Sequence, residues 1–367
     1  MVSTFHMLDY IHESPDSLET TLFTNQEKIN RVSEIITKRK IDRIILTGVG
    51  SSYTAAMIAT PLFTTLCPLR ILTINSDEIL YYSKYWFGET CLVIGVSRSG
   101  ERSSVIDALE LAKKKGSLVI AVTGVVDSLL AQKVKIKLIT QEGPEISFPK
   151  TKSVITCAGL LMSLALGISK NKENEELRDE LFKLPEKIKK TINTIEPKLI
   201  NLMDEIIEHK VLSVIGNCSN YGVALEAAVK VQEAAYVCTR GDSVSGLLQG
   251  PIGALNQDWL VLGLIFQDDL NLFKGIFSLI KKFKAHSLCV IPESVEIDDF
   301  CDYSLKIPYN INPFIAGLVY LPVVQLLTYY WTIGRGMNPD KPTSMNSILN
   351  RILPVGRKEP EFRNKNV

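Results

Sequence analysis

Short apolar runs rich in β-branched residues recur along this chain, and helix-like segments separate them. In the amino-terminal part the runs include RIILTG at residues 43–48, CLVIGVS at 91–97 and SLVIAVTG at 117–124. Because these runs are apolar throughout rather than alternating, they indicate strands buried on both faces, as in a parallel sheet covered by helices. The pattern resumes after residue 210 with VLSVIG and WLVLGLIF. The sequence therefore predicts an α/β fold with doubly wound parallel sheets.

A repeated nine-residue stretch indicates that the second half of the chain duplicates the first. GVGSSYTAA at Gly48–Ala56 aligns with GNCSNYGVA at Gly216–Ala224, and Gly, Ser, Tyr and Ala coincide. Each copy follows an apolar strand and precedes an apolar helix, so we expect two Rossmann-like lobes related by duplication. The expected organisation is amino-terminal helices at 1–35, a first lobe at 36–170, a helical linker at 171–209, a second lobe at 210–340 and a carboxyl-terminal tail at 341–367.

Charge and cysteine usage exclude several classes of protein. Lys and Arg number 41 against 40 Asp and Glu, so the basic excess of a nucleic-acid-binding domain is missing. No apolar run reaches the roughly 20 residues of a membrane span, and no secretory signal opens the sequence. The seven cysteines are scattered without a CxxC pair, which is typical of reduced thiols. We therefore expect a cytoplasmic protein with no membrane or nucleic-acid partner, and with neither a metal nor an organic cofactor.

Three turns after strands of the first lobe combine a helix start with short hydroxyl side chains. They are Gly50-Ser51-Ser52, Ser97-Arg98-Ser99-Gly100 and Lys150-Thr151-Lys152-Ser153. Ligands of such sheets bind beyond the carboxyl ends of the strands, where helix N–H groups point into the crevice. N–H groups and hydroxyls together can hold a dianion without a metal, although each serine could instead only cap its helix. The acidic loop Phe266–Asp269 of the second lobe indicates that the duplicate has lost anion binding.

These turns resemble those of a known family. GVGSSY, SRSGE and FPKTKS are similar to the three phosphate turns of the sugar isomerase (SIS) family. ALEAAVKVQEAAY and LLQGPIGAL resemble the isomerase half of glucosamine-6-phosphate synthase, and the tail NPDKPTSMNSILNRIL looks more like the galactosamine-6-phosphate deaminase/isomerase branch. The resemblance runs in order from Phe5 to Arg351.

The resemblance implies a set of phosphate ligands and a catalytic base. The phosphate ligands would be Ser51, Ser52, Ser97, Ser99 and Thr151, with Arg98, Lys150 and Arg102 as additional cations. Glu233 would be the base, and Glu226, two helical turns earlier on the same face, is a second candidate. From the residues alone, Glu233 could instead be a structural partner of Lys230, three residues away.

Two positions depart from the family pattern. Gln249 stands where the synthase has a histidine that helps to open the sugar ring, and an amide cannot exchange a proton near neutral pH. The lysine of the synthase tail is not evident. The tail of this chain, expected to reach the active site, offers Ser344, Asn346 and Ser347 as substrate contacts.

The chemistry that the resemblance implies is proton transfer between neighbouring sugar carbons. A carboxylate would move a proton between C1 and C2 of an open-chain sugar phosphate through an enediol. With an amine at C2, the same transfer would give an imine that water hydrolyses to ammonia. We therefore expect a phosphosugar aldose–ketose isomerase or an aminosugar-6-phosphate deaminase. Glutamine-fed synthesis is not expected, because it needs a glutaminase domain. A fructosyl-amino-acid 6-phosphate deglycase and a catalytically inactive sugar-phosphate sensor remain as alternatives.

Two apolar helices suggest an oligomer. Segments 224–236 and 313–332 carry more apolar surface than one lobe needs to bury. We therefore expect a homodimer, with its active site at the interface as the resemblance implies.

Overall fold

The computed structural model describes residues 5–82, 85–169, 171, 174–296 and 300–341 of the chain. Within them lie two five-stranded sheets, and every strand pairing in both is parallel. Alternate residues of one strand belong to different cores: Ile44 and Leu46 lie in one cluster and Ile45 in another. Both faces of the sheet are thus covered, as the continuous apolar runs predict.

The first lobe contains the amino-terminal helices and the first sheet. Its elements are α1 (His6–Thr24), α2 (Gln26–Arg39), β1 (Arg43–Gly48), α3 (Ser51–Leu66), β2 (Arg70–Asn75), α4 (Ser76–Tyr82), β3 (Cys91–Val96), α5 (Ser103–Lys114), β4 (Leu118–Thr123), α6 (Leu129–Lys133), β5 (Ile136–Ile139) and α7 (Lys152–Ser169). The strand order is β2-β1-β3-β4-β5. The order reverses between β1 and β3, and ligands of doubly wound sheets bind at that switch point.

The second lobe follows a long helix and repeats the topology of the first. The long helix is α8 (Glu175–Ile206). The elements of the lobe are β6 (Val211–Gly216), α9 (Ser219–Ala235), β7 (Cys238–Asp242), α10 (Val244–Leu248), β8 (Trp259–Leu264), α11 (Leu270–Lys282), β9 (His286–Pro292), β10 (Tyr303–Ile307) and α12 (Gly317–Gly334), with 3₁₀ turns at Pro251–Ala254 and Gln267–Asp269. The strand order β10-β9-β8-β6-β7 is that of the first sheet. The predicted pair of doubly wound lobes is confirmed.

The two copies of the repeat share an unusual backbone conformation at the residue before their helix. Gly50, before α3, has φ 54° and ψ −133°, and Cys218, before α9, has φ 49° and ψ −130°. A positive φ is costly for a residue with a side chain, so its retention at Cys218 marks a turn that the fold requires. Both turns start a helix directly after the first strand of their sheet.

The two lobes pack through close helix contacts. A Cβ atom on Gly222 of α9 would lie 2.4 Å from the backbone nitrogen of Ile58 in α3. Tyr53 and Tyr221, the matched tyrosines of the repeat, are near enough for Tyr221 to help raise the pKa of Tyr53, after the larger effect of burial. α9 therefore lies directly on α3, which brings second-lobe residues to the first phosphate turn.

The helices behind the homodimer expectation are covered within the chain. α9 packs on α3 and α12, and α12 also packs on α8. Every α12 residue from Gly317 to Tyr329 is buried. The apolar surface inferred from sequence therefore covers the junction of the lobes, and it does not by itself require a second subunit.

One described helix, α7, is long and apolar enough to cross a membrane, but 94% of its 18-residue window is buried inside the protein. α7 packs against α1, α2 and α3. This burial is that of a core helix.

Candidate active site

The first two of the three predicted phosphate turns lie side by side at the carboxyl edge of the first sheet. β1 pairs with β3, so the Ser51 turn after β1 adjoins the Ser97 turn after β3. Among the described residues, no side chain caps the first turn of α3 or of α5. The interpretation that these serines only cap their helices therefore finds no support at either turn. At α3, however, the N–H groups of Ser52, Tyr53 and Thr54 already donate to the carbonyls of Val49 and Gly50 at 2.9 to 3.1 Å, so an anion there would depend on other groups of the turn.

The hydroxyls of the second turn are arranged to donate. The hydroxyl oxygen of Ser97 accepts the N–H of Gly100 at 3.2 Å, and that of Ser99 accepts the N–H of Glu101 at 3.3 Å. With the oxygens engaged as acceptors, the O–H protons are left to point at another acceptor. This turn is therefore suited to an anion.

Arg98 and Arg102 do not share one environment. Arg98 donates to the carbonyl of Gly143 at 2.9 Å, and its Nε lies 3.5 Å from an oxygen of the buried Glu142. Burial raises the pKa of Glu142, and Arg98 is among the groups that oppose this rise. Arg98 thus ties the second turn to the loop before α7, whereas Arg102 is exposed at the start of α5.

The third turn is occupied by a carboxylate of the chain itself. Glu145 Oε1 accepts the N–H of Thr151 at 2.9 Å, the hydroxyl of Thr151 at 3.1 Å and the N–H of Lys152 at 3.0 Å. Both donors of Thr151 are therefore engaged, contrary to the expectation that they hold a phosphate. The reason is local: a carboxylate satisfies the positive end of α7. No motif in the sequence indicates that Glu145 folds back onto this helix.

Lys150 lies between this turn and the second lobe. Its amine donates to the carbonyls of Glu145 and Ser147 at 3.0 and 2.6 Å. Burial lowers the pKa of Lys150, Arg98 and Lys230 add to the effect, and Glu145 and Glu233 oppose it. Charges of α9 thus contribute to the electrostatic environment of Lys150.

Three charged side chains of α9 form a chain of contacts beside these turns. Lys230 Nζ lies 2.6 Å from Glu233 Oε2 and 3.6 Å from Glu226 Oε1. Glu226 also accepts a hydrogen bond from the hydroxyl of Thr54 in α3. Burial lowers the pKa of Lys230, but the two carboxylates outweigh it and the net shift is upward. Lys230 is thus a charged group at the junction of the lobes.

The two candidate glutamates differ in access. The side chain of Glu226 is 0% exposed and that of Glu233 is 23% exposed. Burial raises the pKa of Glu226, and Lys230, Thr54 and Ser51 oppose the rise. A base must reach its substrate, so the geometry favours Glu233 and leaves Glu226 as a fixed partner of Lys230.

Gln249 has its contact outside this cluster. Gln249 is exposed after α10, where its N–H donates to the carbonyl of Gly246 at 3.4 Å. The predicted tail contacts Ser344, Asn346 and Ser347 lie outside the described residues. Within the described part of the chain, no three His, Cys, Asp or Glu side chains are grouped to hold a metal ion.

In the second lobe, the place that corresponds to the first turn is filled. Ser219, the counterpart of Ser51, donates to the carbonyl of Pro313 and accepts the N–H of Gly317 at 2.9 Å. Asn217 donates to Asp269 at 3.0 Å. Since the chain itself uses these groups, the lobes are duplicated in fold and differ in what their turns can bind.

These features define a class: two-lobed, doubly wound α/β proteins with hydroxyl-rich helix starts at the switch point of one lobe. Residues 35–167 match the model of the SIS domain, and this part of the chain is an SIS domain.

Similar proteins and solved structures cover nearly the whole chain, and the curated relative named first is matched over little more than half of its own length. Glutamine–fructose-6-phosphate aminotransferase (isomerizing) of Thermococcus kodakarensis is 30% identical over 92% of this chain, which spans 57% of that protein. The C-terminal domain of glucosamine-fructose-6-phosphate aminotransferase from Francisella tularensis superposes with a TM-score of 0.85 at 19% identity, covering 92% of this chain and 99% of that one. Glucosamine-6-phosphate deaminase from Thermotoga maritima superposes with a TM-score of 0.74 at 23% identity, and the match covers 92% of this chain and 97% of that one.

Proposed function

We propose that this protein is a sugar-phosphate isomerase or an aminosugar-6-phosphate deaminase in which Glu233 is the base. The observation that carries the proposal is the position of Glu233: it is partly exposed and held 2.6 Å from the buried ammonium of Lys230. The same helix contacts the first phosphate turn through Glu226 and Thr54. A carboxylate is thus held near an anion-binding edge.

The anion-binding edge supplies the affinity. The uncapped start of α5 and the hydroxyls of Ser51, Ser52, Ser97 and Ser99 would hold the phosphate. We leave Thr151 out of this set because Glu145 occupies its donors. We assign Arg98 to positioning the turn, and Arg102, which is exposed, to the outer side of the phosphate.

The base would act on the open-chain form of the sugar. Glu233 takes the proton from the hydroxyl-bearing carbon next to the carbonyl, the C–H electron pair forms the C1–C2 double bond, and the carbonyl oxygen takes up a proton from water to give an enediol. The other enediol hydroxyl then gives a proton to water as its carbonyl forms, and Glu233 returns its proton to the neighbouring carbon. Lys230 keeps Glu233 oriented, and the buried Glu226 keeps Lys230 in place. Since Gln249 is exposed and cannot exchange a proton, we propose that the sugar ring opens without its help.

A deglycase is the second candidate, and Lys150 favours it. The Lys150 amine is half-buried and under the electrostatic influence of Arg98 and Glu233. A cation at this place suits a substrate with a further carboxylate, such as the amino-acid part of a fructosyl-amino-acid 6-phosphate. The proton transfer is the same, but the product is a free amino acid.

We retain a homodimer as part of the proposal, on different grounds from the sequence. Large apolar side chains are exposed in the segments that follow β4 and β5 at the carboxyl edge of the first sheet: Ile146 is 69% exposed, Val126 49% and Leu129, which begins α6, 45%. Exposed apolar patches of this kind mark interfaces. We expect sedimentation to show a dimer and Ile146→Asp to shift it to monomer, while Ile200→Asp on α8, 46% exposed, leaves it dimeric. A wild-type monomer contradicts the dimer.

Product analysis tests the function. The protein is incubated with glucosamine 6-phosphate, galactosamine 6-phosphate and a fructosyl-amino-acid 6-phosphate, and ammonia, ketose phosphate and free amino acid are measured. Ammonia with ketose phosphate supports the deaminase, and free amino acid supports the deglycase. Thermal stabilisation by these compounds without turnover indicates a sensor, and equal binding of unphosphorylated sugars contradicts the anion site.

A further inference from the structure

A second groove lies far from the candidate active site. It has a volume of about 510 Å³ and is lined by residues that start β4 and β5, by the end of α5 and by α2. The phosphate turns follow the carboxyl ends of the strands of this sheet, so the groove lies on the opposite edge. A six-residue strand spans about 20 Å, so the groove and the predicted phosphate turns are separated by about the length of a strand.

The groove is strongly basic. Four cations line it, Arg31, Arg39, Lys113 and Lys135, and its lining includes no carboxylate. Among the described residues none of the four is in an ion pair, whereas Lys133, next to Lys135, pairs with Glu110 at 2.7 Å. Four like charges around one groove repel each other, and an anion would relieve that repulsion.

The groove also has an apolar wall. Ile35, Leu118, Val119 and Ile136 line it beside the cations. Its volume is within the range of small-molecule pockets, which run from about 300 to 1,000 Å³. The lining therefore combines a polyanion site with space for an apolar body.

We propose that this groove binds a small ligand with two or more phosphate groups and an apolar ring system, of the nucleoside diphosphate class. The four cations hold the phosphates, and the wall of Ile35, Leu118, Val119 and Ile136 packs against the ring. Because the groove is on the opposite edge of the sheet from Glu233, this ligand is not the substrate of the proposed reaction.

Calorimetric titration of the whole chain with ADP tests the proposal. We expect ADP to bind, adenosine not to bind, and pyrophosphate to bind more weakly than ADP. The double variant Arg31→Gln/Lys135→Gln is expected to weaken ADP binding by about tenfold or more, since each lost cation removes up to about 1 kcal/mol. Turnover of the sugar phosphate is expected to stay unchanged in this variant, so failure here and failure of the proposed function are distinguishable.

The matched control is Lys281→Gln/Lys282→Gln. These lysines lie in the last turn of α11, where a cation complements the helix dipole. Arg39 and Lys113, two of the cations of the groove, lie in the corresponding last turns of α2 and α5. The control removes equal charge outside the groove and is expected to leave ADP affinity unchanged. No ADP binding at millimolar concentration, equal affinity for ADP and pyrophosphate, or equal loss in both double variants would overturn the proposal.

Discussion

Replacement of Glu233 by Gln is expected to lower the turnover of the accepted sugar phosphate by about 10²- to 10⁴-fold, the usual contribution of a general base. Substrate binding is expected to persist, because the phosphate contacts belong to the first lobe. The amide keeps the shape of the side chain, and Lys230 retains Glu226 as an anionic partner at 3.6 Å, so the fold is expected to survive. Steady-state kinetics together with calorimetric binding measure both quantities.

The control for Glu233 is Glu186→Gln, an exposed residue of α8. This change also removes one carboxylate from the chain, and we expect turnover to remain within twofold. Full activity of Glu233→Gln would refute the assignment of the base. Equal loss of binding and turnover would show instead that Glu233 holds the substrate.

A methyl group on Gly222 is expected to destabilise the protein more than any surface change. The new Cβ in Gly222→Ala would lie 2.4 Å from the nitrogen and 2.7 Å from the Cα of Ile58. These are backbone atoms of α3, so the two helices must move apart, at a cost of about 2–3 kcal/mol. Because α9 carries Glu233 and Lys230, the same shift is expected to lower turnover. Denaturant unfolding and steady-state kinetics measure the two effects.

Gly275→Ala in α11 is the matched control. Gly275 is also a helical glycine, but its Cβ would meet no atom within 4 Å. The replacement is expected to stabilise the helix by up to about 1 kcal/mol, the propensity difference between glycine and alanine. If both variants gain stability, the close contact between α3 and α9 is contradicted.

Strands with neighbours on both sides were predictable from sequence, and two edge strands were not. β7 and β10 lie at the two edges of the second sheet. Their sequences, CTRGD and YSLKI, include polar and partly exposed residues. An edge strand has one neighbour and is less fully covered, so it need not carry the continuous apolar run that marks a central strand.

The candidate site was predictable only as far as its local parts. The turns at Ser51 and Ser97 are recognisable because a strand end, a helix start and short hydroxyls are neighbours in sequence. The arrangement of the third turn was not predictable, because the loop before α7 folds so that the Glu145 carboxylate accepts the hydrogen bond of the Thr151 hydroxyl. Likewise the sequence placed Glu226 and Glu233 on one helix face but could not say which of them is accessible.

The amino-acid sequence by itself determined that the chain forms two duplicated parallel-sheet lobes. It also determined where the central strands and the hydroxyl-bearing turns at Ser51 and Ser97 begin, because those features depend on short runs of neighbouring residues. The tertiary structure decided that α9 lies on α3, that Glu226 is buried and Glu233 is not, and that the second-lobe turn is filled by the start of α12. These contacts join residues that are far apart in sequence, 98 positions for Ser219 and Gly317 and 172 for Thr54 and Glu226, and only the folded chain brings them together.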